Sequence, residues 1–583
     1  MRGRLRLAAV AAVPLVALAM TGGEVGSAGA ATFHLDGGGV PTTGLAAGNP
    51  FCKNLGVKYQ ASAGAQAFCF GVQRNGPAAA ARPAAPASST NVNAASLAED
   101  VSPSGTRAYG QSETSVAATG QYVVEAWNDA TAFFSPCPSP SSKEELTGLG
   151  FSANGGKSFT DLGGLPNSNC AANLYEGDPS VIAYNAGGSR YFYISSLFDS
   201  PTGLGGSYIA MDACKVTGTG TAATLHCGQP VILASSSLCT KIRRVGQFCN
   251  FLDKDFLSVD PARGRLYASF TEFNVNTGAS QVELSTCDLG NPAGGAGPAG
   301  GTPAAPVCTN NGLQNPPYLV VQQPDPSGCE YEGAYPAVST ATGDVYAGYE
   351  YNWATNLFNP ACFNVATSNV LAKVPSSCLT LTATAACTGP AAQVAVPVVS
   401  MDGAFIPGYN RFPMSDFPRV AVSGPAGTVT MVWNDARYHP LGDIVLQSFT
   451  LGSLAPVQPA PVILNPAADA VNFLPALRTA NGMGNLDVSW YSRTNANSAI
   501  TGVTAVTGVS PRTTARPGSD TTITSVTSDW NSDSSDIVPN FGDYTDNALV
   551  TTGTAPYVGS TLYVAWSDGR LGLPQPFEAH LTG

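Results

Sequence analysis

Residues 253–270 read DKDFLSVDPARGRLYASF and hold two short apolar strands separated by a turn. The first strand is LSVD at 257–260, the second is LYASF at 266–270, and Pro261-Ala262-Arg263-Gly264 lies between them. Short runs rich in β-branched and aromatic residues that flank a Pro- and Gly-bearing turn are typical of an antiparallel hairpin. This stretch therefore predicts a β-hairpin whose second strand ends in an aromatic residue.

The same hairpin pattern occurs seven times along the chain. The pairs are SVAA 115–118 with VVEAW 123–127, SVIA 180–183 with YFYIS 191–195, LSVD 257–260 with LYASF 266–270, PAVS 336–339 with VYAGY 345–349, RVAV 419–422 with VTMVW 429–433, PALR 475–478 with LDVSW 486–490, and NALV 547–550 with LYVAW 562–566. A single hairpin is marginal alone, and each gap leaves room for two further strands. Radial closure buries the faces of every unit against its neighbours.

We therefore predict an all-β fold, a β-propeller of seven counted units. Six blades plus a degenerate hairpin is the alternative count. A pair of β-sandwiches is the alternative architecture, although it would not require seven copies of one hairpin.

Three segments precede the predicted propeller, which we place at residues 98–583. Residues 1–30 begin with Arg2, Arg4 and Arg6, continue with an apolar run from Leu7 to Met20 and end in small residues, as a signal peptide does. Residues 31–75 form a small Gly-rich segment with one Cys pair, and residues 76–97 form an Ala/Pro/Ser-rich linker. The apolar run is too short to span a bilayer, so we expect a secreted, extracellular protein without membrane insertion.

Cysteine usage agrees with export. The chain has 14 Cys, all between Cys52 and Cys387, and oxidising compartments favour disulfides. Pairing of consecutive cysteines is the simplest connectivity: Cys52 with Cys69, Cys137 with Cys170, Cys214 with Cys227, Cys239 with Cys249, and so on. No CxxC occurs and the chain has only four His, so no zinc or haem site is predicted.

The net charge of the chain limits the classes of partner that we expect it to bind. The formal net charge is −12, and charged residues make up 11% of the chain against about 25% in an average globular protein. A chain this acidic does not suit nucleic acid, whose binding depends on Lys and Arg. We expect cations or neutral surfaces as partners, and a monomer.

Hairpin geometry gathers charged residues on one face of the disc, because the start of each first strand and the end of each second strand share an edge. Before the first strands stand Glu113, Asp178, Asp255, Glu332, Asp416 and Asp543. After the second strands stand Asn128-Asp129, Glu272, Asn434-Asp435-Ala436-Arg437, Arg493 and Ser567-Asp568-Gly569-Arg570.

Two interpretations of this face compete. In the first, Asp and Asn close turns, each Arg pairs with a neighbouring carboxylate, and the Trp residues fill the space between blades. In the second, the face forms a polar pocket at the axis, where carboxylates raise each other's proton affinity or capture Ca²⁺. Neither interpretation requires a cofactor, and Ca²⁺ is the candidate cation.

Several stretches resemble the sialidase-like (neuraminidase, BNR-repeat) propellers of secreted bacterial proteins, over roughly residues 105–583. They are GQSETSVAATGQYVVEAWND, EGDPSVIAY, DKDFLSVDPARGRLYASF, VWNDAR and NFGDYTDNALV…LYVAWSDGR. The turn Ser152–Phe159 (SANGGKSF) is similar to the Asp-box of that family, with Asn154 at the Asp position. The (Phe/Tyr)-Arg-Ile-Pro motif of the family is not found early in the chain, and Tyr409–Pro413 (YNRFP) resembles it only in the fifth unit.

The resemblance implies roles for residues on the charged face. Sialidases use a Tyr nucleophile assisted by a Glu, an Asp acid/base and an Arg triad for the substrate carboxylate. These roles would fall on Tyr544 as nucleophile, on Glu332 or Asp543 as its base, and on Asp178 or Asp255 as the acid. The substrate-binding candidates are Arg419, Arg493, Arg570, Arg437 and Asp416.

Two functions follow as hypotheses. The first is an exo-acting glycoside hydrolase of the sialidase type, acting on an extracellular glycan or glycoprotein. The alternative is a non-catalytic propeller that binds carbohydrate or protein and is stabilised by calcium. The sequence leaves open whether the protein is an enzyme, because a propeller scaffold hosts many functions.

Overall fold

The strands of this protein pair into seven antiparallel sheets of four or five strands each and one separate two-stranded ladder. The computed structural model describes residues 91–97, 111–129, 146–165, 175–199, 207–236, 239–242, 246–274, 279–290, 306–308, 319–352, 360–362, 365–379, 381, 387, 389–401, 415–466, 471–479, 484–493, 500–530, 541–551, 560–571 and 574–582. In each of the seven larger sheets, which are the blades, the strands follow one another from the axis outward in the order of the chain. The exception is the blade that closes the circle, whose outermost strand comes from the start of the described chain.

The first three blades occupy the first half of the described chain. Blade 1 holds β2 Ser112–Thr119, β3 Tyr122–Asn128, β4 Thr147–Ser152 and β5 Thr160–Gly164. Blade 2 holds β6 Ser180–Ala186, β7 Ser189–Asp199, β8 Ser207–Thr217, β9 Thr224–Cys227 and β10 Val231–Ser235. A separate two-stranded ladder, β11 Cys239–Ile242 and β12 Gly246–Cys249, precedes blade 3. Blade 3 holds β13 Phe251–Asp260, β14 Arg265–Phe273, β15 Ser280–Asp288, β16 Val307–Cys308 and β17 Leu319–Gln322.

The remaining blades repeat this order. Blade 4 holds β18 Tyr331–Val338, β19 Val345–Tyr351, β20 Ser368–Val374 and β21 Ala392–Pro397. Blade 5 holds β22 Arg419–Ser423, β23 Thr428–Asp435, β24 Asp443–Thr450 and β25 Val462–Ile463. Blade 6 holds β26 Val471–Thr479, β27 Leu486–Arg493, β28 Ile500–Val509, β29 Thr521–Thr522 and β30 Ser528–Asp529. Two 3-10 turns, Gly220–Ala222 and Ser376–Cys378, are the helical elements of the described chain.

Blade 7 closes the ring with strands from both ends of the chain. Its inner strands are β31 Asp546–Thr551, β32 Ser560–Asp568 and β33 Gln575–Thr582, and its outermost strand is β1 Asn91–Asn93. β1 runs antiparallel to β33, with Val92 opposite Glu578. The backbone N–H of Ser96 then bonds Asp161 of blade 1 at 2.6 Å. The last residues of the predicted 76–97 linker thus belong to the propeller. Without β1, the outer edge of β33 would present unpaired backbone N–H and C=O groups, and β1 supplies their hydrogen bonds.

The seven-unit count is confirmed. Each innermost strand contacts the innermost strands of the blades before and after it, and β2 contacts β31 to complete the circle. In the quoted hairpin, Leu257 pairs with Ala268 and Val259 with Leu266 across a turn in which Gly264 has a φ of 57°. That left-handed conformation favours glycine at this position.

The apolar residues of the second strands form the core between blades. Trp127, Trp433, Trp490 and Trp566 are all buried. The prediction that they fill the space between blades is confirmed, as Trp566 and Trp433 belong to separate apolar clusters that join neighbouring blades. Burying an indole of this size is a large source of stability.

Within the described residues, four disulfides join consecutive cysteines: Cys214–Cys227, Cys287–Cys308, Cys329–Cys362 and Cys378–Cys387. Consecutive pairing is thereby confirmed for this part of the chain. Cys52, Cys69, Cys137 and Cys170 lie outside the described residues. Cys239 lies directly opposite Cys249 in the backbone register of β11 and β12, and their bond stays a prediction.

Candidate functional site

The propeller axis has two ends that differ in chemistry. We call the edge where Ser112 of β2 lies opposite Asn128 of β3 the crown face, and the edge where Thr119 lies opposite Tyr122 the turn face. The charged residues singled out in the sequence belong to the crown face. The turn at Asn154 belongs to the turn face, since the N–H of Gly155 bonds the carbonyl of Gln121 at 2.8 Å.

The Asn154 turn is held by its own side chains. Asn154 Oδ1 accepts hydrogen bonds from the Ser152 hydroxyl at 2.9 Å and from the Ser158 N–H at 3.1 Å. The Asn154 side chain therefore closes its own turn.

The first strands are irregular where they reach the crown face. The strand register shifts between Ser112 and Ser115 in blade 1 and between Asp253 and Phe256 in blade 3. Glu113 at φ 54° and Lys254 at φ 54° occupy these bulges in left-handed conformations, and Asp178 at φ 56° precedes β6 in the same way. A left-handed conformation costs a non-glycine residue about 1–3 kcal/mol. Bulges of this kind re-aim side chains, and here they are offset by contacts at the axis.

Those contacts centre on Lys254. Its Nζ lies 2.6 Å from Asp543 Oδ2, 3.0 Å from Asp178 Oδ2 and 3.4 Å from Glu113 Oε1, and all four side chains are fully buried. We call these four residues the lysine cluster. They come from blades 3, 7, 2 and 1 respectively, so one ammonium group joins four consecutive blades.

Asn128 completes the lysine cluster by bonding two of its members. Its Nδ2 donates to Glu113 Oε2 at 2.7 Å, and its Oδ1 accepts from the Asp178 N–H at 2.5 Å. Glu113 Oε1 also accepts from the Asp543 N–H at 3.0 Å. These bonds stabilise charged groups that burial would otherwise destabilise.

Charge in the lysine cluster is unequally balanced. Burial alone would lower the pKa of Lys254, but Asp178, Asp543 and Glu113 raise it well above its ordinary value. Burial raises the pKa of Asp178, and Lys254 opposes that rise. Lys254 therefore stays protonated, while one ammonium group does not fully compensate three carboxyl groups.

An aromatic layer lies beside the lysine cluster and contains Arg419. The Arg419 guanidinium carbon lies 4.4 Å from the ring centroid of Phe256, 4.8 Å from that of Tyr335 and 5.3 Å from that of Tyr544. Its Nη2 donates to the carbonyl of Thr545 at 3.3 Å. Arg419 is thus engaged in cation–π contacts inside the protein.

Tyr544, the nucleophile candidate, is also engaged. Its hydroxyl donates to the carbonyl of Pro179 at 3.1 Å, and the residue is buried. Burial raises the pKa of Tyr544 well above its ordinary value, and the charges of Asp178 and Glu113 raise it further. A phenol in this setting holds its proton, whereas a nucleophilic Tyr has to lose it.

Carboxyl groups also meet between blades 4 and 5. Glu332 lies directly opposite Glu350 across β18 and β19, and Asp416 precedes β22. The Ser400 hydroxyl donates to Asp416 Oδ2 at 2.8 Å. Burial raises the pKa of Asp416 to about 6, while the neighbouring Glu350 carboxyl group and the Ser400 hydroxyl lower it. Burial and then Asp416 raise the pKa of Glu350, so these two groups form a pair in which Glu350 keeps its proton.

Asp255, the alternative acid, is buried beside Ser195. The Ser195 hydroxyl donates to Asp255 Oδ2, while Oδ1 has no hydrogen-bond partner among the described residues. Burial raises the pKa of Asp255 to about 8. It is therefore a neutral carboxylic acid at neutral pH.

Three candidate arginines lie away from the axis. Arg437 and Arg570 bond the carboxylates of Asp435 and Asp568 in their own turns, at 2.7 and 2.6 Å. Arg570 also reaches Asn91 on the outermost strand of blade 7, at 3.0 Å. These contacts agree with the first interpretation of the charged face, in which each Arg pairs with a neighbouring carboxylate.

Arg493 lies at the end of β27, where its Nε donates to Thr501 Oγ1 at 2.7 Å. Its guanidinium carbon lies 5.4 Å from the Phe473 ring centroid, and burial lowers the pKa of Arg493 to about 9. The structure therefore brings Asp178, Asp543, Tyr544 and Arg419 together at the axis, and it does not bring Arg437, Arg493 or Arg570 to them. The Tyr409–Pro413 segment lies outside the described residues.

Sequence reasoning missed Lys254. Glu113, Asp178 and Lys254 each stand two residues before the point where regular pairing begins, at Ser115, Ser180 and Phe256. Superposing the seven hairpins on those starting points would have placed the cation among the acids. The calcium expectation stays a prediction. In the part of the chain that the structure describes, no group of three or more His, Cys, Asp or Glu residues is arranged to hold a metal ion.

The turn face has an axial cavity of about 790 Å³, lined by the innermost strands of all seven blades. One residue from each blade, three positions after the start of regular pairing, contributes to a ring. The ring residues are Ala118, Ala183, Val259, Val338, Val422, Thr479 and Leu549. Hydroxyl and amide side chains stand near the turns, among them Thr119, Asn185, Ser339, Ser423 and Thr551.

Among the described residues that line this cavity, Arg478 is the one with a charged side chain. Its Nη2 lies 2.8 Å from Asp546 Oδ1, and its Nη1 donates to the Tyr335 hydroxyl. The charge of Arg478 is therefore compensated within the protein. The cavity offers apolar walls, hydroxyl groups and no free charge among these residues.

The chain has little similarity to known proteins in sequence, and its structural similarity to solved proteins is low. No family model matches the chain, and no curated protein matches it in sequence. An α-L-arabinofuranosidase from Fusarium graminearum, solved with an iminosugar inhibitor, is 10% identical with a TM-score of 0.37; the match covers 84% of this chain and 97% of that one. A Trypanosoma rangeli sialidase bound to the inhibitor DANA is 10% identical with a TM-score of 0.35, over 72% of this chain and 58% of that one.

A GH43 enzyme from Xanthomonas citri is 12% identical with a TM-score of 0.26, over 59% of this chain and 92% of that one. Similarities of this size do not transfer an activity. The seven-bladed propeller rests on the strand pairing of this chain itself, and its function has to be argued from its own residues. Among the described residues, no helix reaches the length and apolar character needed to cross a membrane.

Proposed function

We propose that this protein is an extracellular propeller that binds a neutral glycan in the axial cavity of the turn face. The observation that carries the proposal is the cavity itself, about 790 Å³ in volume and with a single, internally paired charge in its lining. Cavities of roughly 300–1,000 Å³ are of the size that small ligands occupy. The four disulfides support an oxidising, extracellular location.

The lining suits the surface chemistry of a sugar. A sugar ring presents C–H groups on its faces and hydroxyl groups around its edge. The ring residues, such as Val259, Val338 and Leu549, offer apolar contact, and side chains such as Asn185 and Thr551 offer hydrogen bonds. Both kinds of contact are needed, because a buried sugar hydroxyl without a partner weakens binding.

A neutral sugar suits the cavity better than an acidic one. Recognition of a carboxylate favours a free, bidentate guanidinium group. Arg478 is already bonded by Asp546 and Tyr335, and the chain carries a formal charge of −12. This argument separates the proposed ligand from sialic acid, which the family resemblance implied.

The test is a glycan array followed by calorimetry with the best neutral oligosaccharide. Val338→Trp places an indole in the ring and should weaken binding at least about tenfold, the equivalent of about 1.4 kcal/mol. Val307→Trp is the matched control, because Val307 is exposed on the outer strand β16. It should bind as the wild type does.

Melting temperatures of both variants establish that they are folded. Binding that survives Val338→Trp while the variant is folded would place the glycan elsewhere. Binding confined to sialylated glycans would contradict the neutral-ligand argument.

Hydrolysis is the second candidate function, and the Glu350–Asp416 pair favours it. A pKa of about 6 places Asp416 near the range in which a carboxyl group exchanges protons at neutral pH. On this alternative the protein is an exo-acting glycoside hydrolase of the crown face, of the sialidase type that the resemblance implied, acting on a glycan or glycoprotein.

Fluorogenic glycosides, with sialosides and arabinosides among them, test this alternative. Turnover by the wild type that disappears in Asp416→Asn, with an unchanged melting temperature, would establish the crown face as a catalytic site. Tyr544→Phe and Arg493→Ala test the roles that the resemblance implied for those two residues. Absence of turnover together with glycan binding would support the binding propeller.

A further inference from the structure

The circle of blades closes between blades 7 and 1, and we call the interface between these two blades the seam. Two carboxyl groups lie in the seam. Glu578 of β33 lies directly opposite Ala565, and Ala565 belongs to the same buried apolar cluster as Val123 of blade 1. Glu125 stands two residues after Val123, on the same face of β3. Both carboxyl groups therefore point into the interface between the last blade and the first.

Neither carboxyl group has a hydrogen-bond partner. All four oxygen atoms of Glu125 and Glu578 are buried, and none is bonded within the described part of the chain. The Glu578 carboxyl packs tightly against Gly156, where no side chain would fit beside it. A buried carboxylate without partners is strongly disfavoured, so the groups retain protons.

Among the residues that the structure describes, no neighbour of the pair supplies compensating charge. His580 Nδ1 lies 3.9 Å from Glu578 Oε1, but burial and then Lys157 lower the pKa of His580. Burial raises the pKa of Tyr563 to about 12, and burial also raises that of Tyr491 well above its ordinary value. At neutral pH the imidazole and both phenols are therefore uncharged, and Lys157 is exposed on the turn after β4.

A metal ion does not fit this pair well. Calcium takes about six to eight oxygen ligands. The seam offers two carboxyl groups beside the apolar residues Val116, Val123 and Ala565. A proton is the cation that so few ligands can hold.

We propose that the Glu125–Glu578 pair makes closure of the propeller ring sensitive to pH. When both groups are protonated, blades 7 and 1 pack together and β1 stays paired with β33. When pH rises, ionisation places uncompensated negative charge in the seam and loosens it.

The direction follows from linkage. Burial raises the pKa of both groups, and Glu125 raises that of Glu578 further. The folded chain thus holds protons that the unfolded chain releases above about pH 4.5. Stability contributed by the protonated seam is present in acid and is lost as pH rises.

The experiment measures the melting temperature of the full chain between pH 7 and 9, where His580 is neutral in both states. The wild type should lose melting temperature across this interval. Glu125→Gln and Glu578→Gln should each reduce that loss, so that at pH 9 each variant melts about 2–4 °C above the wild type. The double variant should gain less than the sum of the two, because either substitution removes the mutual repulsion.

Asp520→Asn is the matched control, since Asp520 is exposed and its amide should leave the pH profile unchanged. Glu125→Met provides a second variant in case a buried amide destabilises the fold, and it should flatten the profile as well. Hydrogen exchange of Asn91–Asn93, corrected for intrinsic rates, should accelerate with pH in the wild type and not in the double variant. Unchanged profiles in all variants, or a Ca²⁺-induced rise in melting temperature that Glu125→Gln abolishes, would overturn the proposal.

Discussion

The two ends of the propeller axis are built by the same seven innermost strands and are chemically opposite. At the crown face, bulged strand starts direct Glu113, Asp178 and Lys254 inward, where they form a buried ionic cluster with Asp543. At the turn face, regular strand ends present mainly apolar residues around an open cavity of about 790 Å³. A cluster of charged residues at one end of the axis can thus hold the blades together. The other end, where Arg478 is paired within the protein, stays available to a ligand.

The largest effect should come from removing the ammonium group of the crown face. Lys254→Met leaves three buried carboxyl groups without their cation, and breaking a buried pair in this way costs about 3–5 kcal/mol. Chemical denaturation at pH 7 measures the loss. Lys373→Met is the matched control, because Lys373 pairs with Asp344 near the surface and should cost less than about 1 kcal/mol.

Acid should partly rescue Lys254→Met, since protonation of the carboxyl groups removes their repulsion. If Lys254→Met were as stable as the wild type at pH 7, the lysine cluster would not hold the blades together. The distinction between a closed crown face and an open turn face would then fail.

A smaller effect is expected from Asp255, a buried acid of the crown face that has no cation beside it in the lysine cluster. Burial raises its pKa to about 8, so the folded chain keeps a proton that the unfolded chain releases above about pH 4. Its contribution is favourable below pH 4 and is lost as pH rises towards 8.

Asp255→Asn should therefore raise the free energy of unfolding at pH 8 by roughly 1–3 kcal/mol and leave it little changed at pH 4. Denaturation curves at both pH values provide the measurement, with Asp520→Asn as the exposed control. A stabilisation of equal size at both values would show that the acid is not protonated in the fold.

Tyr544 should give an effect of about 1 kcal/mol on stability, because Tyr544→Phe removes the hydrogen bond to the Pro179 carbonyl and retains the ring between Arg419 and Phe256. Glycan binding at the turn face should be unchanged. Calorimetric binding and denaturation on the same preparation measure both quantities. Lost turnover on any glycoside, at unchanged stability, would instead identify the phenol as a reacting group.

The sequence was sufficient for the repeating fold, because hairpin periodicity is a local property. Each first strand, turn and aromatic-ended second strand can be recognised within about twenty residues, as in DKDFLSVDPARGRLYASF. Burial of Trp127 and Trp433 follows from the same period. Closure by Asn91–Asn93 could not be recognised in this way, because its partner Phe577–Ala579 lies at the other end of the chain.

The candidate site was less accessible to sequence reasoning. Asp178 and Asp543 were grouped correctly because each stands just before the first strand of its hairpin. That position did not show that Lys254 from a third blade would bind both. The turn-face cavity escaped attention because its lining consists of ordinary apolar strand residues such as Val338 and Val422. Such residues carry no signal of function until the fold places six of them, together with Thr479, around one axis.

The smallest effect should come from the outer turns, and it tests whether any arginine of the crown face serves a ligand. Arg437 bonds Asp435 at 2.7 Å and is partly exposed, so Arg437→Met should cost less than about 1 kcal/mol of stability. Arg570 forms the same pair with Asp568 in blade 7, and the repetition indicates a turn-closing role rather than recognition of one substrate. Binding of glycans by Arg437→Met should therefore equal that of the wild type in calorimetry. A large loss of affinity, with stability preserved, would move the binding site from the axis to the rim of the crown face, because a guanidinium group that only closes its own turn has no means of affecting a ligand in the cavity at the opposite end.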